Sequence, residues 1–158
     1  MREVTEMQTN KVSMIIKAYG NDTSQLIGIL QDIQAEYNYL PYDSLIQVSE
    51  KMKIPFSQIY SMATFFKAFS LKERGKHLVT VCMGTACHVR KGPKIVEEIS
   101  RSLGIKAGET TPDLKFTLET VNCLGACALG PVVVIDGKYH GNMTVRKVAS
   151  LLKKYEKE

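Results

Sequence analysis

A chain of 158 residues, 44% hydrophobic and 23% charged, has enough apolar material for one cored domain or for two small ones. Its formal net charge of +5 is interspersed with acidic residues, as in 94–101 and 153–158. That is the pattern of solvated helix faces, and no nucleic-acid partner is expected. The longest apolar runs, such as 132–135, fall far short of a membrane span, so direct membrane insertion is not expected either. The polar, acidic start Met1-Arg2-Glu3-Val4-Thr5-Glu6 is unlike a secretory or transit peptide, which points to a cytoplasmic protein.

The first half reads as helices. Val12, Ile15, Ile16 and Tyr19 have helical spacing until Gly20-Asn21-Asp22 breaks it. Asp22, Thr23 or Ser24 can cap a second helix, whose Leu26, Ile29, Leu30, Ile33 and Tyr37 make an i, i+3, i+4 stripe. Pro41 can open a third helix with Leu45, Val48 and Met52 inward. Pro55 can open a fourth, carrying Phe56, Ile59, Met62, Ala63 and Phe66. Such stripes are the faces on which helices pack, and they predict a small bundle ending near Phe69.

After the polar break Glu73-Arg74-Gly75-Lys76 the pattern changes. Residues 77–81 form a β-branched strand that runs straight into Cys82. Gly92-Pro93 starts a helix with Ile95, Val96, Ile99 and Leu103 inward, and Gly104 closes it as a C-cap. Residues 106–113 read as loop, and 116–121 alternate with period two and deliver Cys123. A third strand, 132–135, turns at Asp136-Gly137 into 138–140, and Thr144 caps a last helix with Val145, Val148, Leu151, Leu152 and Tyr155 on one face. The fold class is therefore α+β, a helical bundle over 1–74 followed by an α/β domain over 75–158.

The order β-α-β-β-β-α has a consequence for the cysteines. A strand–helix–strand crossover makes the first two strands parallel, so their carboxyl ends lie on one edge of the sheet. Cys82 follows the first strand and Cys123 the second, so the C-x4-C pair Cys82/Cys87 and the C-x3-C pair Cys123/Cys127 meet there. All four cysteines of the chain are in these pairs. In a reducing compartment such pairs favour metal or redox chemistry over disulfides. A structural zinc site, a disulfide framework and a [2Fe-2S] cluster with two thiolates per iron all remain open on spacing alone. Gly84 and Gly125, with the small Thr85 and Ala126, let backbone N–H groups approach the sulfurs, while Met83, Leu124 and Leu129 are placed to shield them. His88 is read as a rim residue, since four thiolates are already present. There is no G-x-G-x-x-G, no P-loop and no Ser/His/Asp pattern, so no catalytic residue is expected.

The stretches VCMGTACHVRKGP and ETVNCLGACALGPVVVIDGKYHGN, together with EYNYLP and IPFSQIYSMATFFKAF upstream, resemble the thioredoxin-like [2Fe-2S] subunit of NADH dehydrogenases, the 24 kDa-type subunit of complex I. The resemblance covers about 25–158. Its GTACHVR and ALGP segments are more like the soluble relatives that serve NAD(P)-linked [FeFe]-hydrogenases, including electron-bifurcating ones, and NAD-dependent formate dehydrogenases. It implies a thioredoxin-like second domain and a [2Fe-2S] cluster held by Cys82, Cys87, Cys123 and Cys127. It further implies a partner flavoprotein carrying FMN and binding NAD(H), an iron–sulfur hydrogenase or other catalytic subunit beyond it, and a docking role for the helical half. An equivalent place in complex I or a formate dehydrogenase is the alternative. A zinc-stabilised interaction module is the alternative of another class. A thiol–disulfide oxidoreductase fits the fold but lacks the C-x-x-C motif that chemistry uses.

Overall fold

The computed structural model describes residues 2–156, with side chains described from Asn10 onward. The chain divides into two compact units, 1–73 and 74–158.

The first unit is four helices, α1 (Arg2–Ala18), α2 (Leu26–Tyr37), α3 (Tyr42–Met52) and α4 (Phe56–Phe65). Asn38 (φ 66°) and Lys53 (φ 54°) leave α2 and α3 in the left-handed conformation, and the Lys53 N–H bonds back to Ser49 O. Asp22 accepts from Ser24 N–H at 2.9 Å, capping the short 3₁₀ turn Thr23–Gln25 that leads into α2. Val12, Ile16, Ile29, Leu30, Ile33, Leu45, Val48 and Ile59 are buried together, each worth about 1.5–3 kcal/mol over an exposed position. Phe66, expected on the inner face of the fourth helix, is instead 39% exposed beside Phe65. The helix stops at Phe65, and Phe66 takes an extended backbone, so the helical spacing no longer aims it inward.

The second unit is built on a five-stranded sheet of β1 (His77–Cys82), β2 (Glu109–Thr110), β3 (Phe116–Val121), β4 (Val133–Ile135) and β5 (Lys138–His140) in the order β2-β3-β1-β4-β5. β1 and β3 are parallel, with Cys82 opposite Val121, and the other pairings are antiparallel. Arg74 goes with this unit, its Nη2 donating to Glu119 Oε1 at 2.7 Å. Helices α6 (Gly92–Leu103) and α7 (Val145–Tyr155) cover one face, packing Ile95, Ile99, Val148, Leu152 and Tyr155 on Val79, Val81, Phe116, Leu118, Val133 and Ile135. Gly104 (φ 68°) closes α6, and Thr144 Oγ1 accepts from Lys147 N–H at the start of α7. Val145, expected on the inward face of that helix, is instead 40% exposed, because it is the first helical residue and precedes the turn that packs on the sheet. Asp136 and Gly137, with φ of 50° and 78°, turn β4 into β5, and Asp136 Oδ1 also accepts from Leu78 N–H at 2.9 Å.

Two elements depart from the sequence reading. The stretch 106–113 holds the two-residue edge strand β2, too short to show an alternation. A one-turn helix, α5 (Thr85–Val89), occupies the space within the first cysteine pair. No described helix is long and apolar enough to cross a membrane.

Candidate metal centre

Strand β1 alternates. Val79 and Val81 face the helices, so Cys82 faces the other way, onto the second face of the sheet. There it is buried with Cys87, Val132 and Val134, against Leu124 and Ala126. α5 places Cys87 in that cluster, because one helical turn after Gly84 returns the chain toward the strand it left. The second pair arrives from β3. Met83 N–H bonds to Val121 O at 2.8 Å and Cys82 N–H to Val132 O at 3.1 Å, which ties the first loop to both neighbouring strands. Cys123 and Cys127 are exposed, Cys127 beginning the 3₁₀ turn Cys127–Leu129. All four are free thiols.

The sulfurs form one connected set. Burial pushes the Cys82 thiol up, but N–H groups of Gly84 and Leu124 and the thiols of Cys87 and Cys123 outweigh it and hold Cys82 below the ordinary thiol range. Burial and the neighbouring Cys82 push Cys87 up, against an N–H from Val132. Of the buried pair, Cys82 is thus the one ready to be a thiolate. Gly125 N–H points at Cys123 Sγ at 3.3 Å, in a conformation (φ 75°) that suits glycine. At Gly84 the need is space, since a Cβ would lie 2.8 Å from Asn122 O and 3.5 Å from Cys123 Cβ. The two cysteine loops touch at that residue.

Of the remaining residues singled out in the sequence, Ala126 packs on the buried thiols and Thr85 opens α5 at the surface. Met83 and Leu124 are half-buried. Leu129, expected as a shield, is 46% exposed, because the 3₁₀ turn lifts it off the sulfurs and its carbonyl is taken by Asn142 N–H at 2.6 Å. His88 is exposed. Sequence reasoning missed Arg90, whose guanidinium Nη1 donates to Gly130 O at 3.2 Å and Cys127 O at 3.4 Å. Only its place three residues after Cys87 in a basic stretch hinted at it.

Chemically the site offers four thiols with amide N–H groups aimed at sulfur. Among the described residues, no group of three or more His, Cys, Asp and Glu side chains is arranged to hold a single metal ion. A cluster with two irons asks for something different, two thiolates at each iron and N–H donors around the sulfurs, and the residues present fit it.

Comparison with known proteins agrees. The family model for thioredoxin-like [2Fe-2S] ferredoxins matches residues 12–156. The chain is 34% identical over 145 residues to HndA, a component of the NADP-reducing hydrogenase of Solidesulfovibrio fructosivorans, covering 92% of this chain and 85% of the relative. It is 34% identical over 152 residues to a component of the NADH-quinone oxidoreductase of Rickettsia felis, covering 94% and 91%. Its fold is similar to part of an NAD⁺-reducing [NiFe]-hydrogenase crystallised in the air-oxidised state, with a TM-score of 0.74 at 16% identity over 84% of this chain and 23% of that one. The chain belongs to the thioredoxin-like [2Fe-2S] ferredoxin family, and its cofactor is a [2Fe-2S] cluster.

Proposed function

We propose that Cys82, Cys87, Cys123 and Cys127 together hold the cluster, and that this chain is the non-catalytic electron-transfer subunit of a cytoplasmic, NAD(P)-linked hydrogenase complex of the electron-bifurcating kind. The observation that carries the reading is the convergence of two thiol pairs at one sheet edge with backbone N–H groups pointing at their sulfurs. A bound cluster supplies a one-electron site, which a flavin exchanging hydride with NAD(H) needs beside it. The protein's part is to hold and tune. Burial of Cys82 and Cys87 keeps water from two of the sulfurs, and the N–H groups of Gly84, Leu124, Gly125 and Val132 favour negative charge there.

Electron exchange belongs to the outer side. Cys123 and Cys127 are exposed, and Val89, beyond Cys87, is 78% exposed. Between 83 and 94 the charged residues are Arg90, Lys91 and Lys94, with no carboxylate, and 121–135 carry no charge at all. An apolar surface with a basic rim suits a partner with an acidic rim around its own redox group. In the helical unit, Tyr42, Tyr60, Phe65 and Phe66 are exposed aromatic residues, the composition of a protein–protein contact, and this unit is proposed to dock on the FMN-bearing flavoprotein.

A second reading, the equivalent subunit of complex I, is favoured by the equal identity to the NADH-quinone oxidoreductase relative. Anaerobic purification of the intact complex separates the two. Co-purified flavoprotein with hydrogen-dependent NAD(P)⁺ reduction supports the first, quinone reductase activity supports the second, and a chain purifying alone with its cluster contradicts both.

A further inference from the structure

We infer that Arg90 sets the reduction potential of the cluster, raising it with a fixed positive charge that its own hydrogen bonds hold across the two cysteine loops. The inference rests on the reading that the four cysteines are the ligands. Arg90 closes α5, the helix that carries Cys87, with its backbone N–H on Ala86 O and His88 O. Its side chain then leaves that loop and crosses to the other, where one nitrogen serves the carbonyls of Cys127 and Gly130. Both acceptors are neutral. Among the described residues no carboxylate pairs with the guanidinium, so its charge is not cancelled locally.

The guanidinium and the buried sulfur share a neighbour. A Cβ placed on Gly130 would stand 3.2 Å from Cys87 Sγ and 3.8 Å from Arg90 Nη1, so the buried thiol and the cation flank the same glycine. Reduction adds one negative charge to a group already carrying four thiolates, and a cation at that range favours the reduced form. An arginine cannot shed its charge by losing a proton, so the bias is constant with pH. Because Arg90 also reaches solvent, salt weakens the bias. A lysine keeps the charge but loses the planar fork, and a glutamine keeps a donor but loses the charge.

The test is an EPR-monitored redox titration of the full chain with its cluster, wild type against R90Q and R90K, at low and high ionic strength. With iron and sulfide content unchanged, R90Q should lower the reduced-to-oxidised ratio at a fixed potential threefold to tenfold, ~59 mV at the upper end for a one-electron couple. The gap should narrow in high salt, and R90K should recover most of it. A potential unchanged in R90Q overturns the inference, as does an equal fall in R90Q and R90K that salt does not touch. A wild-type chain without a [2Fe-2S] signal, or a Cys123→Ala chain that keeps one, overturns the ligand reading instead, and does so before Arg90 is changed.

Discussion

Cys82 and Cys87 lie buried beneath the end of a central strand, whereas Cys123 and Cys127 stand exposed on an irregular loop. The inner pair is placed by regular structure, a strand and one helical turn, and is packed against Val132 and Val134. The outer pair is placed by single contacts, the Gly125 N–H on Cys123 and the Arg90 bonds to Cys127 and Gly130. The difference separates two tasks. On the proposed ligand set, the buried side would fix where the cluster sits and keep its sulfurs from water, while the exposed side would leave a short path to a partner.

Removing an inner thiol should break this arrangement most severely. Cys87→Ala takes a proposed ligand and leaves a void beside Val132, so the chain should lose most of its iron and its reduced-state EPR signal, read by metal analysis and spectroscopy. Gly84→Ala attacks the seam between the pairs. Its Cβ at 2.8 Å from Asn122 O forces the two loops apart, and we expect a stability loss of about 1–3 kcal/mol by thermal unfolding together with faster loss of the cluster to a chelator. In the metal-free chain, burial both hides Cys87 and pushes its thiol up, so iodoacetamide should modify Cys123 and Cys127 roughly tenfold faster than Cys87, read by peptide mass mapping. Equal rates would erase the distinction between an inner and an outer pair.

The smallest effect lies away from the thiols, on edge strand β5. Burial, with Lys138 and Lys154 nearby, holds His140 below the ordinary histidine range, and its Nε2 is buried with no hydrogen-bond partner among the described residues. The folded pKa is thus below the unfolded one, near 6.5, so the unfolded chain binds the extra proton first. His140 therefore costs no stability above that pH, and its cost grows as the pH falls below it. A melting series from pH 7.5 to 5 should show this decline in the metal-free chain as well, and H140Q should flatten it.

Much of the fold was legible because its signals are long. The stripes of Leu26, Ile29, Leu30 and Ile33, and of Ile95 and Ile99, lie on helices of 12 residues each, whereas the alternation expected over 116–121 is not how β3 is buried: Phe116, Thr117 and Leu118 are all buried in succession. The β-α-β order was enough to bring Cys82 and Cys123 to one edge, as the register of Cys82 with Val121 reflects. What escaped was short or local. Five residues of α5 and two of β2 cannot display a period, and the 3₁₀ turn that exposes Leu129 depends on its neighbours in space. Arg90 carries no mark of its reach, since a side chain's partner across a loop is set by tertiary geometry.

The central claim is that all four cysteines hold one two-iron cluster. Anaerobic preparation of the full chain, with iron, sulfide and zinc analysis and reduced-state EPR on the wild type and on each cysteine-to-alanine variant, tests it directly. The account predicts one [2Fe-2S] signal in the wild type and its loss in every variant. Stoichiometric zinc without iron, or a cluster that survives the loss of any one of these cysteines, would contradict it.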